Sequence, residues 1–171
     1  MQRTPNRLFV VMGVAGCGKS TIGAALAATL NGRFLDGDAF HPPRNIEKMS
    51  RGEALTDADR WPWLTRFAKA MAAQSGLIVG GCSALKRSYR ALITTEAGEP
   101  VTFIHLAGSR KLIAGRMVTR DGHFMPLSLL DSQFAALERP GPEEDAIAID
   151  ISGSSADTVA AIQTALGESL S

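Results

Sequence analysis

The sequence has few cysteines, no excess of either charge and no long apolar run, and each shortage argues against a class of protein. Its 2 cysteines, Cys17 and Cys82, are too few for a disulfide framework. The 18 basic and 17 acidic side chains leave a net charge of +1, which provides no general field to hold a nucleic acid. No apolar run approaches the roughly 18 residues of a membrane span. We therefore expect a cytoplasmic protein that binds neither nucleic acids nor membranes.

The remaining composition is that of an ordinary globular protein. With 171 residues and 45% apolar side chains, the chain can bury one substantial core, so we expect residues 1–171 to form a single domain. Short runs that are apolar on both faces alternate with segments of helical pattern. This alternation predicts an α/β fold of three layers, with a parallel sheet covered by helices on both faces. The five strands are predicted at residues 8–12, 33–35, 76–79, 101–106 and 146–151.

The segments between these strands predict helices and one functional loop. Residues 36–55 carry scattered charges and two prolines, and predict a loop with one short helix at residues 45–49. Asp57 is predicted to cap a helix that begins near Trp61 and has Pro62 in its first turn. The other helices are predicted at residues 19–30, 86–95, 109–120, 127–137 and 155–166.

A complete phosphate-binding motif follows the first predicted strand. It reads Gly13-Val14-Ala15-Gly16-Cys17-Gly18-Lys19-Ser20, the pattern G-x-x-x-x-G-K-[ST] between a strand and a helix. Glycines let the backbone N–H groups point at phosphate oxygens, and the helix N-terminus adds partial positive charge. We expect Lys19 to bridge the β- and γ-phosphates, Ser20 to bind Mg²⁺ and Thr21 to extend the nucleotide site. The competing interpretation is a glycine-rich turn without a ligand, and the motif does not separate a kinase from a GTPase or a motor ATPase.

Two carboxylates, Asp36 and Asp38, follow the second predicted strand. In a parallel sheet they would lie beside the phosphate loop, at the carboxyl ends of the strands. Phosphoryl transfer needs an oriented hydroxyl, a carboxylate to accept its proton and cations on the transferred phosphate. Asp38 is the candidate base, and Asp36 is the candidate Mg²⁺ ligand through water. An ordinary Asp-Gly turn is the alternative.

Several longer blocks of sequence resemble the thermoresistant-type gluconokinases. The first two read FLDGDAFHPPRNIEKM at residues 34–49 and GEALTDADRWPWL at residues 52–64. Further blocks are CSALKRSYR at residues 82–90, RDGHFMP at residues 120–126, LLDSQF at residues 129–134 and LERP at residues 137–140. The resemblance spans about residues 8–166, and these blocks are far more specific than the phosphate loop.

The resemblance implies a P-loop kinase fold related to shikimate kinase and the nucleoside monophosphate kinases. It implies that ATP and Mg²⁺ are used to phosphorylate the 6-hydroxyl of D-gluconate, with Asp38 as the base, and that the protein is a homodimer. Gluconate carries a carboxylate and a row of hydroxyls, so its pocket needs cationic and hydrogen-bonding side chains. The candidates for binding it are Arg60, Lys86 and Arg90, followed by His41, Arg44 and Lys48.

Two arginines, Arg116 and Arg120, lie four residues apart on the helix that leads into a predicted lid at about residues 117–137. By resemblance to similar kinases, Arg116 stacks on adenine and Arg120 reaches the phosphates. A pair of exposed helix arginines is the alternative.

Two other functions remain open. One is a kinase of another small anion, such as shikimate, which residues 41–63 argue against. The other is a nucleotide-dependent switch, which would need neither Asp38 nor a basic pocket. The chain also departs from the family at Gly80 and Gly81, where the glycine pair predicts a bulge or flexibility at the end of the third strand.

Overall fold

The computed structural model describes residues 6–118 and 127–169. Within these ranges the chain forms one sheet of five parallel strands in the order β2-β3-β1-β4-β5. The strands are β1 Leu8–Met12, β2 Arg33–Asp36, β3 Ile78–Gly81, β4 Val101–Ala107 and β5 Ala146–Asp150. The five predicted strands and the three-layer α/β prediction are confirmed.

Helices cover both faces of this sheet. The helices are α1 Lys19–Thr29, α2 Pro43–Ser50, α3 Asp57–Ala73, α4 Arg87–Ala97, α5 Arg110–Val118, α6 Leu127–Ala136 and α7 Ser155–Ser169. Helices α1 and α7 pack together on one face, and α3 and α4 pack together on the other. In the part of the chain that is described, no helix has the length and apolarity to cross a membrane.

The central strands are apolar because both of their faces are covered. Every residue of β1 and β3 is buried, whereas the edge strand β2 is half-exposed. Because all five strands are parallel, their carboxyl ends meet at one edge of the sheet. The ends of β1, β2 and β3 therefore bring Gly13, Asp36 and Gly81 to the same edge, where the candidate site lies.

The predicted bulge at Gly80 and Gly81 is wrong. Both residues belong to β3 and pair in regular parallel register, Gly80 with Val10 and Gly81 with Val11. The reason for glycine is space, since a Cβ at Gly80 would lie 2.4 Å from the ring of Phe67. Gly80 therefore lets α3 approach the sheet closely.

The start of α3 also differs from the prediction. The helix begins at Asp57, and its cap is Thr56, whose hydroxyl accepts a hydrogen bond from the Asp59 amide. The Asp59 carboxylate accepts the Thr56 amide in return, which completes a capping box. Pro62 consequently lies inside the helix, beyond its first turn. The preceding region, predicted as a loop with one short helix at residues 45–49, holds a 3₁₀ helix at Gly37–Phe40 and then α2, which contains the predicted helix.

Candidate active site

The phosphate loop joins β1 to α1 in the conformation that its glycines permit. Gly16 and Gly18 have positive φ angles of 79° and 97°, a backbone region that favours glycine. The Lys19 ammonium folds back over the loop and donates to the carbonyl oxygens of Gly13 and Val14, both at 3.1 Å. The loop is therefore preshaped, and its lysine is held beside the backbone that would surround a phosphate.

One amide of this loop is already hydrogen-bonded to a side chain of α6. The backbone N–H of Ala15 donates to Oε1 of Gln133 at 2.6 Å. Sequence reasoning gave Gln133 no role, although it lies in one of the family-like blocks. The motif predicts that this amide binds a phosphate oxygen, but here it already donates to the oxygen of Gln133.

A cavity of about 320 Å³ opens beside the N-terminus of α1. It brings together Cys17, Gly18, Thr21 and Arg116 from the predicted nucleotide site. Its other wall is the turn after β5, where Arg116 donates to the carbonyl oxygen of Ile151 at 2.6 Å. Sequence reasoning missed this turn, although its position at the carboxyl end of a parallel strand is a signal for ligand binding.

The two carboxylates at the end of β2 have different environments. Asp36 caps the 3₁₀ helix: its Oδ1 accepts the Asp38 amide at 3.0 Å, and its Oδ2 accepts the Ser20 hydroxyl at 3.4 Å. The Asp38 side chain, in the 3₁₀ helix that follows β2, is 81% exposed. Partial burial there raises the pKa of the Asp38 carboxyl, the Lys19 charge opposes this shift, and the Asp36 charge adds to it. Asp38 is thus an accessible carboxyl whose proton affinity is enhanced.

Arg44 and Lys48 pair with the buried carboxylate of Asp59, and Asn45 links the backbone of the same residue to His41. The Asp59 carboxylate accepts Lys48 Nζ at 2.7 Å and Arg44 Nη2 at 3.2 Å. The Lys48 hydrogen bond, followed by that of the Thr56 amide, holds the pKa of the Asp59 carboxyl well below its usual range. This placement ties the two predicted substrate cations to a partner within the protein.

Arg60 and Lys86 meet around Tyr89 at the start of α4. The Arg60 guanidinium donates to the Tyr89 hydroxyl at 3.2 Å, and both cations lie near the Tyr89 ring, at 5.3 Å and 5.7 Å from its centroid. Asp57 accepts hydrogen bonds from the Tyr89 hydroxyl and from Lys86. Sequence reasoning missed Tyr89 and Asp57, which hold the two predicted substrate cations together.

Arg90 is placed differently from the prediction that it binds the substrate. Its side chain is 2% exposed, and all five of its N–H donors are engaged with protein oxygens. It forms a two-point ion pair with Glu144 at 2.7 Å and 3.1 Å. Its other acceptors are the carbonyl oxygens of Ala84, Leu85 and Glu138. A buried guanidinium without a spare donor is a structural clamp, so the substrate-binding role of Arg90 is not supported.

The predicted catalytic residue Arg120 lies outside the described residues, as do the other residues of 119–126 in the predicted lid. Arg116, at the base of that lid, contacts the turn after β5 through the carbonyl oxygens of Ile151 and Gly153. Arg116 lines the cavity beside α1, and its stacking on adenine stays a prediction.

The chain matches the shikimate kinase family model over residues 15–160. It is 48% identical to a gluconokinase of Gluconobacter oxydans over 147 residues, which cover 84% of this chain and 82% of that protein. It is also 48% identical to the thermosensitive gluconokinase of Escherichia coli K12, over 84% of this chain and 78% of that protein. A crystal structure of a gluconokinase from Sinorhizobium meliloti 1021 superposes with a TM-score of 0.89 at 44% identity, covering 97% of this chain and 94% of that one.

Proposed function

This chain belongs to the gluconokinase family, and we propose that it transfers the γ-phosphoryl group of ATP to the 6-hydroxyl of D-gluconate. The observation that carries this proposal is the position of Asp38. Its exposed carboxyl lies at the carboxyl end of β2, close enough to Lys19 for the two charges to interact. An acceptor hydroxyl placed beside Asp38 would therefore face the phosphate loop.

In the proposed reaction the 6-oxygen of gluconate forms a new bond to the γ-phosphorus. The bond between that phosphorus and the oxygen that bridges it to the β-phosphate breaks, and ADP leaves. Asp38 accepts the proton of the attacking hydroxyl. Lys19 leaves the carbonyl oxygens of Gly13 and Val14, where it lies 3.1 Å from each, and neutralises charge on the phosphates.

Ser20 at the start of α1 and Asp36 at the end of β2 suit Mg²⁺. Ser20 and Asp36 present a hydroxyl and a carboxylate oxygen 3.4 Å apart, and Mg²⁺ takes one or two protein oxygens together with phosphates and waters. The bound ion would supply positive charge to the β- and γ-phosphate oxygens. Ser20 would bind it directly, and Asp36 would act through water.

We assign gluconate recognition to the cationic group around Tyr89. Arg60 and Lys86 converge on Tyr89 and offer a charged fork and an ammonium to a carboxylate or hydroxyl. Arg44 has a side chain that is 79% exposed, so its remaining donors can also face a ligand. Arg120 keeps its predicted role on the phosphates, and the homodimer remains a prediction that sedimentation would test.

The test is a coupled assay of ADP release with ATP and Mg²⁺. D-gluconate is compared with shikimate, with other sugar acids and with no acceptor. We expect release that depends on gluconate and that falls roughly 10²–10⁴-fold in kcat for Asp38→Asn. The exposed carboxyl of Glu47, altered in Glu47→Gln, is the matched control and should leave the rate unchanged. Equal release without any acceptor, or no effect of Asp38→Asn, would instead favour the nucleotide-dependent switch.

A further inference from the structure

We propose that Asn45 fixes His41 as the neutral imidazole with its proton on Nε2, and that this N–H positions the carboxylate of Asp38. The inference rests on the proposed function, in which Asp38 accepts the proton of the substrate hydroxyl. His41 is then a positioning residue and not a direct ligand of the sugar acid.

The orientation of the Asn45 amide follows from its neighbours. Asn45 is 1% exposed, and its Nδ2 lies 2.9 Å from the backbone carbonyl oxygen of Asp59. A carbonyl oxygen only accepts hydrogen bonds, so the amide atom that faces it must be the nitrogen. The second hydrogen of the same nitrogen is available to Nδ1 of His41, which lies 3.2 Å away.

This contact decides the tautomer of His41. Because the Asn45 nitrogen donates, Nδ1 of His41 must accept, and a ring nitrogen that accepts carries no proton. In a neutral imidazole the proton is then on Nε2. Burial, together with the Arg60 charge, lowers the pKa of His41 to about 4, so the ring remains neutral at ordinary pH.

The Nε2 atom faces the proposed base. It lies 3.9 Å from Oδ1 of Asp38, and the His41 side chain is only 4% exposed. This distance exceeds a hydrogen bond, but catalytic contacts are often long before the substrate binds and shorten in the complex. A closure of less than about 1 Å would let Nε2–H donate to one carboxylate oxygen and leave the other for the substrate proton.

Trp63 holds the ring and the turn of Asp38 in a fixed relation. Its indole stacks on the His41 ring with 4.0 Å between centroids and 19° between planes. Its Nε1–H donates to the carbonyl oxygen of Gly37 at 2.7 Å, one residue before Asp38. The same side chain therefore fixes both partners of the proposed contact.

The arrangement leaves one polar atom of Asn45 without compensation. Its Oδ1 is buried and accepts no hydrogen bond from the described residues. Such an atom costs free energy, and turning the amide over would set its oxygen against the carbonyl oxygen of Asp59, which cannot donate. The position therefore uses asparagine for its two donors, to Asp59 and to His41.

The test compares two amide replacements of His41. Glutamine places an amide nitrogen near the position of Nε2, whereas asparagine places one near Nδ1. We expect His41→Gln to keep kcat within a few-fold, and His41→Asn to lose about tenfold or more in kcat with little change in KM for gluconate or ATP. Thermal unfolding of both variants checks that they fold alike. Equal kcat values for the two folded variants would overturn the positioning role.

A second readout does not depend on activity. Two-bond ¹H–¹⁵N correlation spectra of the full chain, assigned with the His41 variants, should show the proton of His41 on Nε2. The Asn45→Ala variant should show a mixture of both tautomers and a lowered kcat. A proton on Nδ1 in the unaltered protein would overturn the inference. Failure of the unaltered protein to phosphorylate gluconate would instead overturn the proposed function, and with it the role of Asp38.

Discussion

The backbone amide of Ala15 donates a 2.6 Å hydrogen bond to Oε1 of Gln133. The two residues lie 118 positions apart in the sequence, so the contact joins the phosphate loop to α6, the helix in the second half of the predicted lid. Amides of such loops bind phosphate oxygens. A nucleotide that uses the Ala15 amide must therefore displace the glutamine oxygen.

Gln133→Glu is expected to weaken ATP binding about tenfold. A carboxylate makes a stronger hydrogen bond to the Ala15 amide than the neutral oxygen does, and it repels the incoming phosphates. Gln133→Met, which has a similar shape but no strong acceptor, should bind ATP at least as tightly as the unaltered protein. Titration calorimetry measures both dissociation constants. Equal values for the two variants would show that the Ala15 amide takes no part in nucleotide binding.

Arg90→Met is expected to lower the free energy of unfolding by about 3–5 kcal/mol, because it removes five hydrogen bonds and leaves the Glu144 carboxylate, which is only 12% exposed, without its partner. The matched control on the same helix is Arg87→Met. Its side chain is 62% exposed in the ion pair with Glu143, so it should cost about 1 kcal/mol or less. Urea unfolding measures both changes. Similar small losses for both variants would contradict the structural role assigned to Arg90.

Asp59→Asn is expected to make the free energy of unfolding fall less steeply as the pH is lowered. Hydrogen bonds from Lys48 and Thr56 lower the pKa of the folded Asp59 carboxyl below its unfolded value of about 3.9. The unfolded chain therefore takes up a proton first, and the contribution of Asp59 is complete above about pH 4 and lost as the pH falls towards the folded pKa.

Urea unfolding at a series of pH values tests this expectation. The unaltered protein should lose stability more steeply below about pH 4 than the Asp59→Asn variant. Glu47→Gln, which changes an exposed carboxyl, should follow the unaltered curve. Parallel curves for the unaltered protein and Asp59→Asn would mean that Asp59 does not contribute in this way.

Gly80→Ala is expected to destabilise the protein by roughly 1–3 kcal/mol. The added Cβ would meet the Phe67 ring at 2.4 Å and the Met71 sulfur at 2.7 Å. Gly115→Ala in α5 is the opposite case, since its Cβ would meet nothing within 4 Å, and alanine should stabilise the helix by about 0.5–1 kcal/mol. Thermal melts compare the two. Destabilisation by both would point to a general intolerance of added methyl groups.

The features that the sequence predicts correctly depend on local pattern. The spacing from Gly13 to Ser20 and the apolar runs of the strands determine the phosphate loop and the sheet. Parallel strands then bring Asp36 and Asp38 to the correct edge. The cap of α3 also has a local signal, because Thr56 is followed three residues later by Asp59. The prediction that Asp57 is the cap is nevertheless wrong.

The features that the sequence does not predict depend on distant partners. Arg90 has the same side chain as a substrate-binding arginine, and only Glu144, 54 residues away, makes it a buried clamp. From the sequence alone, Gly80 suggests a bulge. Only the fold shows that the Phe67 ring of α3 packs against this position and requires glycine there. The tautomer of His41 likewise depends on Asn45 and on the carbonyl oxygen of Asp59, which α2 and α3 bring together only in the folded chain.

The central claim is that phosphate is transferred to the 6-hydroxyl of gluconate with Asp38 as the base. The most direct measurement is ³¹P and ¹³C NMR of the products formed from ATP, Mg²⁺ and ¹³C-labelled D-gluconate. We expect one phosphomonoester whose phosphorus couples to C6, formed by the unaltered protein and nearly absent with Asp38→Asn. Release of inorganic phosphate alone, or a phosphate on another carbon, would contradict the claim.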